Sequence, residues 1–156
     1  MAATQTRLLG ALMVGVQGVL FLAVALTAFL PGPAVFGSWW AGSMLIIFGS
    51  LGVFWGAKDL GRALTPMPIP NGEGLASGGI YTHIRHPMYG AVLTGAFGLA
   101  VGSGKLWTYA LAVVLAVFFE VKTRMEESFL REAYPGYAEY AARTAKYVPL
   151  SFLRRG

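Results

Sequence analysis

The chain has 156 residues, of which 56% are hydrophobic and only 12% charged, whereas ordinary soluble domains carry about 25% charged residues. This composition indicates an integral membrane protein, and the absence of cysteine excludes disulfides, thiolate metal sites and a catalytic cysteine. The net charge of +5 does not indicate a nucleic-acid partner, because the basic residues flank apolar segments and form no stripe interleaved with aromatic residues.

Four apolar segments follow one another along the chain, and we predict a membrane helix for each of them. They cover residues 8–30, 34–57, 88–101 and 106–121. A spanning helix takes about 20 residues, so the first two segments are long enough and the last two are short. The uncharged turn at 31–33 predicts an antiparallel N-terminal hairpin over residues 1–57. The last two segments either cross a thinned bilayer or form one bent hairpin that does not fully cross.

The remaining segments are more polar and lie outside the predicted spans. Residues 58–84 are rich in proline and glycine, which predicts a structured loop rather than a helix. Residues 122–133 should continue the fourth helix into water, because apolar residues recur there at spacing four. A tyrosine-rich tail follows and runs to Pro149; it is too polar to span and should pack against the loop.

The distribution of charge predicts the orientation of the chain. Eleven of the twelve lysines and arginines fall on one side of the predicted bundle, and Lys105 alone falls on the other. By the positive-inside rule we expect both termini in the cytoplasm and the protein in the cell's inner membrane. Small residues at helical spacing predict close packing between helices and would also suit a homodimer. These pairs are Gly52 and Gly56, Ala91 and Gly95, and Gly98 and Gly102.

Ionisable and aromatic side chains cluster in two stretches, residues 81–89 and 120–131. Both stretches flank the third and fourth helices on the same predicted side of the membrane, so we expect them to meet. Pro87 marks a helix start, where exposed N–H groups and the positive end of the helix dipole favour an anionic ligand group. Polar groups gathered beneath an apolar bundle suit an amphipathic or lipid-linked substrate at the surface of the lipid bilayer.

Simpler structural interpretations of the same residues stay open. His83 and His86 have a spacing that could hold a metal ion, but no third ligand has a matching spacing, so we expect no metal. Arg85 could simply extend towards lipid phosphates without a role in the site. Arg124 could simply form an ion pair with Glu120 one helical turn earlier. Glu126 and Glu127 could belong to a solvated helix face.

Several motifs resemble those of a known family, the isoprenylcysteine carboxyl methyltransferases and the related phospholipid methyltransferases. The resemblance runs from about Leu60 to Pro149 and depends most on an Arg-His-Pro-x-Tyr element followed at a distance by a Glu-Glu pair. The matching elements are Leu64-Thr65-Pro66, Gly79-Ile80-Tyr81, Arg85-His86-Pro87-Met88-Tyr89-Gly90, Arg124 with Glu126-Glu127, and Tyr137-x-x-Tyr140 before Pro149.

The resemblance implies an all-α, polytopic membrane bundle of about four transmembrane helices with a cytoplasmic C-terminal helix. It implies an S-adenosylmethionine-dependent methyltransferase whose part from residue 58 to residue 156 binds the cofactor. The positions that carry over as cofactor-binding residues are Tyr81, His83, His86, Tyr89, Glu126 and Glu127. Arg124, or alternatively Arg85, would act at the catalytic centre by gripping an anionic group of the substrate.

The acceptor implied by the resemblance is lipophilic or lipid-linked, first of all a carboxylate such as that of a prenylated cysteine. A phospholipid amine and a small lipophilic acid or thiol are the alternatives within the same chemistry. Two other classes stay open: a membrane reductase related to the sterol reductases, which would bind NADPH, and a membrane scaffold without enzymatic activity. Binding of S-adenosylmethionine or of NADPH distinguishes these classes.

Overall fold

The computed structural model describes residues 3–148, with side chains from residue 5 onward, and every regular element in that part of the chain is helical. This confirms the predicted all-α class. The helices are α1 (Ala3–Phe29), α2 (Trp39–Leu60), α3 (Pro87–Ser103), α4 (Leu106–Ala133) and α5 (Tyr137–Arg143). Two short 3₁₀ turns, Gly61–Ala63 and Gly79–Thr82, lie in the long loop between α2 and α3.

Three of these helices, α1, α2 and α4, are long and apolar enough to cross a membrane. Helix α3 has 17 residues, or about 26 Å at 1.5 Å per residue, which is less than the roughly 30 Å of a bilayer's hydrocarbon core. Helix α4 runs unbroken for 28 residues, which confirms that the fourth apolar segment continues as a helix through residue 133.

The ends of the helices follow local sequence signals. Helix α2 starts at Trp39 rather than at residue 34, because the side chain of Ser38 caps it by accepting a hydrogen bond from the Ala41 N–H at 3.4 Å. Pro87 opens α3, as predicted, and Gly104 closes it in the left-handed conformation that favours glycine. Pro149, the predicted end of the tail, lies outside the described residues.

Helices α2 and α3 approach each other closely through glycine, which confirms the predicted role of the small residues in packing. A Cβ atom added at Gly42 would lie 2.6 Å from the Cα of Gly102, and one added at Gly49 would lie 2.7 Å from the Gly95 nitrogen. Only residues without a side chain permit backbones to come this close. The pair of α2 and α3 is therefore the most tightly packed part of the bundle.

The predicted hairpin of the first two helices is not a packed unit in the structure. Helix α1 packs against α3 and α4, with Phe21 next to Phe119 and Thr27 hydrogen-bonded to Thr108, whereas α2 packs against α3. The glycine-lined face of α2 fits α3, so α3 lies between α2 and the pair formed by α1 and α4. A stacked contact between Phe29 of α1 and Trp39 of α2 joins the two at their connection.

The two ends of the bundle differ. At one end, which we call the connector end, residues 30–38 and 104–106 hydrogen-bond to each other, with Val35 N donating to Gly104 O at 2.8 Å and Leu106 N donating to Pro33 O at 2.9 Å. At the opposite end, which we call the site end, lie the loop between α2 and α3, the last turns of α4, and α5. The polar clusters predicted from the sequence lie at the site end.

Candidate active site

The segment before α3 is held by the C-terminal tail. The backbone N–H groups of Arg85 and His86 donate to the carbonyls of Ala145 at 2.8 Å and Lys146 at 3.0 Å, and Ala145 N donates back to His83 O at 3.0 Å. This short ladder fixes the Arg-His-Pro element against the tail. The predicted packing of tail and loop is thus present among the described residues.

The two predicted polar clusters meet through Glu127. Its Oε1 atom lies 3.1 Å from Arg85 Nε and 3.0 Å from His86 Nε2, and all three side chains are less than 15% exposed. The Arg85 guanidinium also donates to the carbonyls of Ala141, at 2.7 Å, and Thr144. Charge-assisted bonds of this kind are short and strong, so Glu127 joins α4, the start of α3 and the tail.

Two tyrosine hydroxyl groups form hydrogen bonds in the same region. Tyr89 donates to Glu126 Oε2 at 2.9 Å, and Tyr140 donates to the carbonyl of Tyr81 at 2.7 Å. Burial raises the pKa of Tyr140 to about 12, and burial followed by the charge of Glu126 raises the pKa of Tyr81 further. Both phenols therefore stay neutral hydrogen-bond donors at physiological pH.

A cavity of about 450 Å³ lies at the site end, among α1, the loop between α2 and α3, and helices α3, α4 and α5. Its wall is largely apolar, with convergent polar groups, which is the usual make-up of a small-molecule site. The predicted site residues that line it are Tyr81, Arg85, His86, Tyr89 and Glu126.

The other predicted site residues lie outside the cavity wall. Glu127 lies one layer behind it and contacts it through Arg85 and His86. His83 is exposed and does not line the cavity. The side chain of Arg124 is 76% exposed and its Nε lies 2.8 Å from Glu120 Oε1, which is the structural alternative named above. The structure thus brings five of the eight predicted residues to the cavity.

Further polar residues face the cavity, among them Tyr137, Lys122 and Gln17, none of which was among the predicted site residues. Tyr137 is 1% exposed, and its hydroxyl is a buried side-chain atom without a hydrogen-bond partner in the described part of the chain. Lys122 is completely buried, and it donates to the side chain of Gln17 and, at 2.9 Å, to the carbonyl of Pro66. Lys122 lies three residues after Phe119 and four before Glu126, so helical spacing alone places it on their face of α4.

The described residues contain no group of three or more His, Asp or Glu side chains that could hold a metal ion. His83 and His86 do not face a common point, since one is exposed and the other is bonded to Glu127. The metal interpretation of their spacing therefore finds no support in this part of the chain.

The fold and the site together define a helical membrane protein with a largely apolar cavity, carrying a few convergent polar groups, at one end of its bundle. The sequence profile of the phospholipid methyltransferase family matches residues 38–136, which is more than half of the chain. The chain belongs to this family, which confirms the resemblance and indicates a membrane methyltransferase. The match begins with α2, so α1 lies outside it.

Two curated proteins are similar to this chain. The cobalt-zinc-cadmium resistance protein CzcN of Cupriavidus metallidurans is 34% identical over 120 residues, covering 75% of this chain and 55% of the relative. The nickel-cobalt-cadmium resistance protein NccN of Alcaligenes xylosoxydans xylosoxydans is 28% identical over 137 residues, covering 85% of this chain and 63% of the relative. The chain therefore spans less than two thirds of the length of these relatives.

Proposed function

We propose that this protein transfers a methyl group from S-adenosylmethionine to a lipophilic acceptor at the cytoplasmic face of the membrane. The observation that carries the proposal is the buried hydroxyl of Tyr137 in the wall of the site-end cavity, which has no hydrogen-bond partner among residues 3–148. A buried donor without a partner costs about 1–3 kcal/mol, so a site that retains one is suited to a ligand that accepts its hydrogen bond.

The other groups in the wall fit the parts of S-adenosylmethionine. The Glu126 carboxylate, whose Oε2 accepts a bond from Tyr89, suits an ammonium group. The ring of Tyr81, which lines the cavity, suits a sulfonium, because aromatic rings attract cations. The Tyr137 hydroxyl and the first-turn N–H groups of α3 suit a carboxylate or ribose oxygens. The residues present therefore fit the cofactor that the family implies.

The chemistry asks little of the protein beyond binding and exclusion of water. When bound, S-adenosylmethionine supplies a methyl group on a positively charged sulfur, which a carboxylate can accept without a nucleophilic side chain. The largely apolar cavity would hold the acceptor in line with that methyl group and keep its carboxylate poorly hydrated. Arg85 and His86, fixed by Glu127, would shape the wall without taking part in bond changes.

We propose a lipophilic carboxylate, such as that of a prenylated cysteine, as the acceptor, with a phospholipid amine or a small lipophilic thiol as the alternatives. The inner membrane, cytoplasmic termini and a homodimer are proposals that the distribution of charge and the small residues support. A sterol-reductase-like NADPH enzyme and a non-enzymatic scaffold remain the competing classes, and cofactor binding separates them.

The test uses Tyr137→Phe, with Tyr140→Phe as the matched control, and measures S-adenosylmethionine binding by calorimetry beside thermal unfolding. Tyr137→Phe removes a hydroxyl without a partner, so stability should be unchanged or slightly higher while cofactor affinity falls about fivefold, from roughly 1 kcal/mol of lost bonding. Tyr140→Phe removes the bond to Tyr81 and should lower stability by about 0.5–1.5 kcal/mol. Unchanged cofactor affinity in Tyr137→Phe would contradict the proposed binding mode.

A further inference from the structure

Lys122 is a buried cation near the site end of the bundle. It lies 16 residues after Leu106, which starts α4 at the connector end, so it is about 24 Å along a helix whose membrane span measures roughly 30 Å. It is completely buried and lines the cavity, and its Nζ lies 5.4 Å from the centre of the Tyr89 ring. A charged side chain that is completely buried in a protein is costly unless it is paired.

No carboxylate lies within ion-pair distance of Lys122 among the described residues. Its oxygen partners, the Gln17 side chain and the Pro66 carbonyl, are both neutral. Glu126, one helical turn later, is bonded to Tyr89 instead. A buried cation with only neutral acceptors is poorly compensated, and an anion arriving in the cavity would remove that cost.

The two arginines proposed to grip the substrate are already engaged elsewhere. Arg85 is held by Glu127 and by the carbonyls of the tail, and Arg124 pairs with Glu120 on the outer surface of α4. Lys122 differs from both because it combines position in the cavity wall with the absence of an anionic partner in the described chain. It is therefore the cation best placed to receive an anion.

The cavity wall beside Lys122 is apolar. Part of it comes from α1, which lies outside the residues that match the family profile. Phe119 lies three residues before it, stacked at 4.7 Å from the Tyr89 ring and 6.1 Å from the ring of Phe21. Phe21 and Gln17 both belong to α1, which precedes the matched residues 38–136. An anionic group at Lys122 would thus be joined to an apolar body lying against α1, on the lipid-facing side of the cavity.

We infer that Lys122 binds the anionic group of the methyl acceptor, with Gln17 and the Pro66 carbonyl orienting its ammonium group and Phe21 contacting the apolar body. The inference rests on the proposed function and favours an acceptor whose reacting group is itself the anion, such as a lipophilic carboxylate, over a phospholipid amine. For a carboxylate, an oxygen–carbon bond forms as the carbon–sulfur bond breaks, the electron pair stays on sulfur, and no proton moves. The ester formed is neutral, so it loses its attraction to Lys122 and can leave.

The test measures binding of octanoate, with octanol as the neutral and octylammonium as the cationic probe, to the protein in lipid nanodiscs by saturation-transfer NMR. The wild type should prefer octanoate to both other probes. Lys122→Met should lower the affinity for octanoate at least tenfold and leave the affinity for octanol within twofold of the wild type. Lys122→Arg should keep the preference for octanoate. Arg143→Met, which removes an exposed cation of α5, is the matched control and should change neither affinity.

Two outcomes overturn the inference: equal octanoate affinity in Lys122→Met and wild type, or a wild-type preference for octylammonium or octanol. The wild-type preference is measured without any substitution, so the inference can fail even where Lys122→Met does not fold. Calorimetry of S-adenosylmethionine on the wild-type preparation tests the proposed function separately. Cofactor binding without octanoate preference would remove this inference alone, and octanoate preference without cofactor binding would remove the methyltransferase proposal.

Discussion

At the scale of single residues, Glu127 organises the site without lining the cavity. One oxygen atom serves both Arg85 and His86, and the arginine reaches on to the tail. The carboxylate therefore compensates the charge of a mostly buried arginine and fixes the ring orientation of a buried histidine. A residue of this kind affects ligand binding through the groups that it positions.

Glu127→Gln should lower the free energy of unfolding by about 1.5–3 kcal/mol, because it removes charge-assisted hydrogen bonds from buried partners. It should also weaken the binding of S-adenosylmethionine, and His86→Ala should do the same, since both substitutions disturb the cavity wall. Chemical unfolding and calorimetry measure the two effects. Glu132→Gln, on the exposed outer surface of α4, is the control and should change neither. Wild-type stability and cofactor affinity in Glu127→Gln would show that the cluster is not structurally important.

The sequence predicts that the two polar clusters meet, because they flank the third and fourth helices on the same predicted side of the membrane. It does not predict which cation faces the cavity. Lys122 and Arg124 are two positions apart on α4 and therefore point about 200° apart around the helix. In the sequence, Val121 belongs to a row of apolar residues at spacing four, which suggests that its face of α4 points inward. In the structure, Val121 is 53% exposed. The contacts of α4 with α1 and with the loop between α2 and α3 determine which of its faces points into the cavity.

At the scale of helices, glycine determines which neighbours pack. The close approach of α2 and α3 depends on backbone meeting backbone at Gly42 and Gly49. Spacing in the sequence predicts that small residues pack between helices, but hydropathy cannot say which pair of helices they join. For this reason the chain connection suggested a hairpin of α1 and α2, whereas the complementary surfaces pair α2 with α3.

Gly42→Ala should destabilise the bundle, because its new Cβ would lie 2.6 Å from backbone atoms of α3. Overpacking of this kind costs about 1–3 kcal/mol. Gly15→Ala in α1 is the matched control, since nothing lies within 4 Å of its added Cβ. That variant should be neutral or gain up to roughly 1 kcal/mol from the better helix propensity of alanine. Equal unfolding temperatures of the two variants in detergent would refute the α2–α3 packing.

At the scale of the whole molecule, we expect the connector end and the site end on opposite sides of the bilayer, because they are opposite ends of helices long and apolar enough to cross it. Phe36 lies in the connector loop and is 70% exposed, and Ser77 is exposed in the loop at the site end. The native chain contains no cysteine, so a single introduced thiol reports its own location without background.

Phe36→Cys should react with a membrane-impermeant maleimide in intact cells, and Ser77→Cys should react only after the membrane is permeabilised. The reason is the concentration of basic residues at the site end, which the positive-inside rule assigns to the cytoplasm. Labelling of both variants in the denatured state controls for thiol reactivity. If both thiols were labelled from the same side, the alternating arrangement of the helices would be wrong.

The most direct test of the central claim is calorimetric titration of the purified protein in nanodiscs with S-adenosylmethionine and, separately, with NADPH. The site-end cavity, the Tyr137 hydroxyl, which finds no partner in the described part of the chain, and the Glu126 carboxylate predict saturable binding of S-adenosylmethionine at one site and none of NADPH. Tyr137→Phe should weaken that binding without loss of stability. Binding of NADPH in place of S-adenosylmethionine, or of neither compound, would contradict the account.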